Sequence, residues 1–316
     1  MGVGKSTYAP ATILSVAYPS PTIAVASGLE ILVRRARDVQ LAVEALLRCS
    51  AVRYQDINAG GGGAFFVGWN VWQWQPLPDD AQPLVGAARR AQDELCSFAE
   101  MVFQAGAPDR IDAVKQVSQW LLRLIEQPNG TMPNGAPRSS IDEIIERVGP
   151  DLEEFLTGAS RLPTAHGTDE RLLVADTSAL LDRPDLQDWT LDLGAWTVVL
   201  VPQVLAELDD RKRDPRTAEA AQKVIRQIDE FDRRGDTFAG VPLAGKLRVR
   251  EVARSPDMAA TLPWLRPDTP DDLIVAAALE LVARDLRGRV AVLASDRNVR
   301  NKARLAGLTT VATGQL

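Results

Sequence analysis

The chain has 316 residues, of which 46% are hydrophobic and 25% are charged, and its formal net charge is -6. This composition is typical of a globular protein of one or two domains and excludes an intrinsically disordered chain. The negative charge excludes a nucleic-acid partner held by an overall positive field, so such a partner would need a local basic patch or a bound metal ion. No window offers the roughly 18 apolar residues of a membrane helix, and we expect a cytoplasmic protein with no membrane partner.

The histidine and cysteine content limits the available chemistry. The single histidine, His166, lies in a polar segment, so neither histidine catalysis nor a His-ligated zinc site is expected. Cys49 and Cys96 are far apart and lack metal-ligand spacing. We therefore predict two buried free thiols in a reducing compartment.

The sequence before Arg171 predicts a mainly helical region. We expect an irregular segment over residues 1–26, a mostly helical domain of unassigned role over 27–157 and a linker over 158–170. Periodic apolar positions and capping residues predict its helices, which begin at Ser27, cover 79–105 and 107–127, and run from Ser140 to about Thr157.

Two features of this region allow alternative interpretations. Arg34, Arg35 and Arg37 form either a binding face or a solvated helix face, and we favour the solvated face. The alternation of side chains over residues 65–74 predicts a strand or hairpin. We expect its closely spaced tryptophans to pack in a core, although they would also suit base stacking or a partner surface.

From Arg171 onward, short apolar runs alternate with helical patterns, and we treat residues 171–316 as a second domain. Strands are predicted at 171–175, 196–201, 247–252, 289–294 and 308–312. Helices are predicted at 177–182, 202–210, 215–234, 270–286 and 297–305. Strands separated by helices imply parallel crossovers, and hence a three-layer α/β/α domain with a central parallel sheet.

Acidic residues follow the predicted strands or begin the predicted helices at four places. Asp176 ends the first strand, Glu207 lies about a turn and a half into a helix, Asp271 and Asp272 open another helix, and Asp296 ends a late strand. Strand ends and helix starts lie on one edge of such a sheet, so these side chains are expected to converge. Each acid alone is equally typical of a helix cap, whereas the set of four favours a shared site.

Clustered carboxylates repel one another unless a cation neutralises them. Mg²⁺ and Mn²⁺ prefer carboxylate oxygen and water as ligands. Such an ion activates water and stabilises the charge that builds on a phosphate during in-line displacement. The pattern therefore predicts phosphodiester hydrolysis at a Mg²⁺ or Mn²⁺ site.

Four segments in this order and spacing resemble a PIN domain: ADTSALL, VPQVLAELDDRK, TPDDLIVAAALEL and LASDRNVRNKA. The resemblance covers residues 171 to about 312. It implies a Mg²⁺- or Mn²⁺-dependent nuclease that cleaves single-stranded RNA. The same resemblance makes Asp176, Glu207, Asp271 and Asp296 the catalytic and metal-binding acids, with Asp272 as a further metal candidate; the Asp-x-x-Ile spacing selects Asp271 over Asp272.

The resemblance also suggests residues that contact the substrate. Thr177 or Ser178 fits a small hydroxyl beside the first acid, and Asn298 lies near the fourth. Family members often have Asp or Asn directly before the last acid, where this chain has Ser295, which implies one weaker metal contact.

Basic residues near this edge are candidates for contacts with phosphates of the RNA. We single out Lys212, Arg297 and Arg300, whose neighbours include Lys302. The alternative, that these are exposed helix charges, is equally well supported by the sequence. The helical domain would then supply substrate choice, homo-oligomerisation or binding of a regulatory protein.

A ribonuclease is thus the leading hypothesis, and two others stay open. The PIN-like half is an inert binding or regulatory module if its geometry is unsuitable for catalysis. The chain is a ribonuclease toxin of a toxin–antitoxin pair if a partner inhibits it, although the resemblance implies that such toxins are shorter, single-domain chains.

Overall fold

The computed structural model describes residues 24–55, 71–126, 141–162, 171–191, 195–243 and 247–316. Within these ranges, every helix is too short or too polar to cross a bilayer. His166, the tryptophan at position 69 and most of the predicted linker segments lie outside the described residues.

The N-terminal region is helical, as the sequence predicts. Helix α1 (Gly28–Arg48) begins at Ser27, whose Oγ accepts the Glu30 N–H at 3.3 Å while Glu30 Oε2 accepts the Ser27 N–H at 2.7 Å. This reciprocal capping box satisfies two amide donors that the first turn leaves free, which explains why the helix starts there. The remaining helices are α2 (Gln82–Gly106), α3 (Ile111–Glu126) and α4 (Ile141–Ser160).

A short hairpin lies between α1 and α2. Strand β1 (Val52–Gln55) pairs antiparallel with β2 (Val71–Trp74), so the predicted strand is confirmed over its last four residues. Trp74 is 6% exposed, as expected of a core residue. Cys96 is buried on α2, but Cys49 is exposed, so the prediction of a buried thiol at Cys49 is wrong. It follows the last turn of α1, beyond that helix's buried face.

The C-terminal region alternates strands and helices close to the predicted bounds. Its strands are β3 (Arg171–Ala175), β4 (Trp196–Leu200), β5 (Val241–Pro242), β6 (Leu247–Glu251), β7 (Arg289–Leu293) and β8 (Thr309–Val311). Its helices are α5 (Thr177–Asp182), α6 (Pro202–Arg211), α7 (Ala218–Arg234), α8 (Pro270–Arg284) and α9 (Arg297–Leu305).

The six strands form one mixed sheet in the order β5-β6-β4-β3-β7-β8. Five are parallel, which confirms the predicted central parallel sheet, and the short edge strand β5 pairs antiparallel with β6. The two residues of β5 are too few to produce an apolar pattern that sequence analysis can detect.

The strand order reverses direction beside β3. The chain passes from β3 to β4 and β6 on one side and then returns to β7 on the other side. Strands β3 and β7 pair in parallel as far as Ala175 and Leu293, and their carboxyl ends therefore lie side by side. Such a reversal leaves a crevice outside the carboxyl ends of the strands, which is the usual place for a site in this class of fold.

Helix α1 packs directly against the C-terminal region. The Leu29 N–H donates to the Leu286 carbonyl oxygen at 2.9 Å, and Ser27 forms an isolated antiparallel bridge with Arg289. Gly28 lies so close to α8 that a Cβ atom would sit 2.7 Å from Val282 Cγ1. The described N-terminal and C-terminal residues consequently share one continuous hydrophobic core.

Arg35 makes the central polar contact of this packing. Its guanidinium is 6% exposed, lies 2.7 Å from Glu94 Oε2 and 5.5 Å from the centre of the Phe98 ring, and donates to the Ala306 carbonyl oxygen at 2.8 Å. The neighbouring Arg34 donates to the Gly307 carbonyl oxygen at 2.7 Å. The prediction of a solvated arginine face is therefore wrong for Arg35, because this residue joins α1 and α2 to the carboxyl end of α9.

Candidate active site

Asp176 lies at the reversal of the strand order, directly after β3. It is 4% exposed, and its N–H donates to the Leu293 carbonyl oxygen at 2.8 Å, beside the end of β7. Its carboxylate accepts the Ser178 N–H at 3.3 Å and thereby caps α5. A helix cap does not need to be buried, so capping alone does not explain why Asp176 lies inside the protein. Capping of α5 is therefore compatible with a functional role for this carboxylate.

Ser178 connects Asp176 to the other side of the crevice. Its hydroxyl donates to Asp176 Oδ2 and accepts the N–H groups of Ser295 and Asp296 at 3.1 and 3.0 Å. The single Oγ therefore fixes the first acid relative to the backbone that carries the fourth. Because these contacts engage the hydroxyl, Ser178 acts within the protein as a positioning residue.

Asp296 and Asp271 are linked through Asn298. Asp296 Oδ1 accepts the Asn298 N–H at 2.6 Å, which caps α9, and the Asn298 side-chain amide donates to Asp271 Oδ2 at 2.7 Å. Asp271 lies in the first turn of α8, so two helices that begin at the same sheet edge bring these acids together. A chain of hydrogen bonds thus connects Asp176, through Ser178, to Asp296, Asn298 and Asp271.

Asp272 differs from Asp271 in its surroundings. Its side chain is 5% exposed, Oδ2 accepts the Arg266 N–H at 3.0 Å, and Oδ1 lies 2.7 Å from Lys302 Nζ. Lys302 Nζ also lies 3.3 Å from Asp271 Oδ2. The ammonium of α9 therefore stands between the two adjacent carboxylates of α8.

Glu207 approaches the crevice from α6. Its Oε1 accepts from Gln203 Nε2 at 2.9 Å, and its charge acts on Asp176. Burial raises the pKa of Asp176 above its ordinary value, the hydrogen bond from Ser178 opposes this rise, and the charge of Glu207 adds to it. Ionised Asp176 is consequently destabilised by burial and by a neighbouring negative charge, which is the environment that a cation would relieve.

The predicted acids thus lie along one edge of the sheet, but they do not form a closed cage. Within the described ranges, no group of three or more His, Cys, Asp or Glu side chains is arranged to hold a metal ion as it stands. The donors around the crevice are nevertheless carboxylate, hydroxyl and amide oxygens, which suit a hard divalent cation. The chemistry of this donor set therefore fits a hard divalent cation such as Mg²⁺ or Mn²⁺.

The other residues proposed from the sequence have varied environments. Thr177 Oγ1 is buried and has no hydrogen-bond partner among the described residues. Lys212 Nζ lies 2.7 Å from Asp209 Oδ1. Arg300 donates to the carbonyl oxygen of Ala294 at 2.8 Å. Arg297 is exposed at the amino end of α9 and is the best placed of these side chains to meet a substrate from solvent.

Ser295 belongs to a cluster that sequence analysis missed. Its Oγ lies 3.0 Å from both Asp182 Oδ2 and Thr313 Oγ1, and Thr313 donates to the same Asp182 oxygen at 2.5 Å. These hydrogen bonds lower the pKa of Asp182. The serine therefore ties α5 to the C-terminal turn, and no local pattern connects residues so far apart in sequence.

One comparison with known proteins finds a match within the C-terminal region. The family model described as PIN domain matches residues 173–313, which include Asp176, Glu207, Asp271 and Asp296. No curated protein matches the chain.

Proposed function

We propose that the protein is a Mg²⁺- or Mn²⁺-dependent ribonuclease that hydrolyses single-stranded RNA. The match of residues 173–313 to the PIN domain model supports this proposal, because it indicates a nuclease-type fold. One observation carries the proposal. Asp176, Asp296 and Asp271 are joined by hydrogen bonds through Ser178 and Asn298 where the strand order reverses.

The acids of the proposed site would have two different roles. Asp176, Asp271 and Asp296 would hold the divalent ion, and Glu207, next to Asp176, would bind it or orient the attacking water. When bound, the ion supplies positive charge that stabilises the developing phosphate charge and makes a water molecule more acidic. Burial of Asp176 strengthens its attraction to a cation, since the local dielectric constant is low.

Local positive charge would position the RNA. With a net charge of -6, the chain has no overall attraction for a polyanion. Arg297 is exposed beside Asp296 and is our first candidate for a phosphate contact, and Asn298 and Lys212 are further candidates. Arg300 is proposed to act indirectly, by holding the end of β7.

The decisive test is the substitution Asp176→Asn. We expect Mn²⁺-dependent cleavage of a fluorescent single-stranded RNA to fall by about 100-fold or more, since a metal contact stabilises the transition state by several kcal/mol. The matched control is Asp229→Asn, which removes an exposed carboxylate from α7, away from the crevice. Undiminished cleavage by folded Asp176→Asn would contradict the assignment.

A second candidate function, an inert binding or regulatory module, is favoured by one observation. The described residues lack a ready group of three ligands for a metal ion, and Lys302 occupies part of the acidic edge. If this alternative holds, calorimetry detects no Mn²⁺ binding to the wild-type chain and no cleavage is measured. Homo-oligomerisation or a regulatory partner of the N-terminal helices, and the cytoplasmic location, remain predictions.

A further inference from the structure

The acidic edge of the sheet has two parts, Asp176 with Glu207 and Asp271 with Asp272. These two parts differ in how their negative charge is neutralised. Asp271 and Asp272 face the ammonium of Lys302, at 3.3 and 2.7 Å. Asp176 and Glu207 have no ion pair within the described ranges, and the Asp176 carboxylate is buried. One half of the edge therefore already contains a cation, and the other half lacks one.

Asp272 is committed to contacts within the protein. Its buried carboxylate uses one oxygen for the Arg266 N–H and the other for Lys302. A metal ion that took Asp272 as a ligand would have to displace Lys302, leaving that ammonium only 23% exposed and without its closest partner. Leaving a partly buried charge unpaired is costly, so this exchange is disfavoured.

Asp271 is also partly engaged. Its Oδ2 receives both the Asn298 amide at 2.7 Å and the Lys302 ammonium. Two-metal nucleases hold their ions about 3.5–4 Å apart. A second ion here would have to use the α8 carboxylates that Lys302 already contacts. Besides Asp271, the proposed site has Asp176, Glu207 and Asp296, which have no ion pair among the described residues. One or two carboxylates are enough to bind one such ion.

Resting on the proposed nuclease function, we propose that Lys302 takes the place of a second metal ion. The site then binds a single divalent ion per chain, on the side of Asp176, and Asp272 is not one of its ligands. Lys302 is accordingly a positioning residue that keeps Asp271 oriented through a fixed positive charge.

Calorimetric titration of the metal-free, full-length chain with MnCl₂ tests this proposal without any substrate. We expect the wild-type chain to bind one Mn²⁺. In Lys302→Met the ammonium is lost while a long side chain remains, so the freed pair of carboxylates takes up a second ion. The matched control is Lys223→Met, which removes a lysine paired with Asp185 at 2.5 Å rather than with an acid of the proposed site. This variant should still bind one Mn²⁺.

A second variant keeps the proposal testable if Lys302→Met does not fold. Asp272→Asn retains an oxygen for the Arg266 N–H and should still bind one Mn²⁺, with a Kd within about threefold of the wild-type value. Loss of a true ligand would weaken binding at least as much as the roughly tenfold that loss of an outer-shell partner costs, and a loss of that size would overturn the proposal.

Two further results would overturn it: a wild-type count other than one Mn²⁺, or a count of one in folded Lys302→Met. The outcome is separate from that of the proposed function. A chain that binds one ion but cleaves no RNA would refute the ribonuclease and leave the role of Lys302 intact.

Discussion

Substitution of Ser178 by Ala tests how strongly one hydroxyl holds the two sides of the crevice together. In the wild-type chain this Oγ donates to buried Asp176 and accepts two backbone N–H groups, from Ser295 and Asp296. Alanine keeps the α5 backbone and removes all three hydrogen bonds at once. The variant therefore measures a polar link rather than a loss of packing.

The magnitude follows from those contacts. A hydrogen bond to a charged group contributes about 1.5–3 kcal/mol, and an ordinary one contributes about 0.5–1.5 kcal/mol. Asp296 is exposed, so water can replace the acceptor for its N–H, whereas the buried carboxylate of Asp176 is harder to resolvate. We expect the free energy of unfolding to fall by about 2–4 kcal/mol, in the range measured for broken networks.

Urea unfolding at neutral pH, followed by circular dichroism, measures this loss. Ser160→Ala is the control, because the Ser160 hydroxyl only donates to a carbonyl oxygen within α4, and its removal should cost less than about 0.5 kcal/mol. Cleavage of RNA by Ser178→Ala should fall by about tenfold or more, as Asp176 loses its orientation. A Ser178→Ala variant as stable as the control would refute the idea that this hydroxyl fixes the site.

Two other predictions concern charge. Arg35→Met should lower the free energy of unfolding by about 2–4 kcal/mol, because the Ala306 carbonyl loses a charged donor and Glu94 loses its partner. Urea unfolding measures the change. A loss under about 0.5 kcal/mol would contradict the prediction. In EDTA, burial holds the pKa of Asp176 above the ordinary 3.8, so the folded state binds this proton more tightly than the unfolded state. The protonated Asp176 carboxyl therefore contributes its whole stabilisation below pH 3.8, and this contribution is lost as the pH rises through the pKa of the folded state. The free energy of unfolding of Asp176→Asn relative to wild type should consequently increase with pH. A constant difference between pH 4 and 8 in urea unfolding would refute this.

The parts of the fold that local pattern determines were predictable. Strand β3 and helix α9 have the predicted bounds, because a short apolar run ends at Asp176 and an acid caps the turn at Asp296. Sequence order also indicated which edge would carry the acids, since strand ends and helix starts coincide in this class of sheet.

The remaining features depend on contacts between distant residues. Arg35 belongs to an arginine-rich stretch typical of an exposed face, and its burial depends on Glu94 and on the end of α9. In the sequence, Lys302 is one of several basic residues that could contact a phosphate. In the structure, its ammonium instead pairs with Asp271 and Asp272 of α8. In both cases the partner is supplied by tertiary packing, which no periodicity records.

The docking of α1 has a consequence for how the protein can be divided. Helix α1 supplies apolar side chains to the shared core and a guanidinium to the end of α9, the helix that starts at Asp296. A fragment beginning near Arg171 would expose that apolar surface to water and leave the carbonyl groups of Ala306 and Gly307, directly after α9, without their arginine donors. The PIN-like half and the helical region should therefore melt as one cooperative unit rather than as two separable modules.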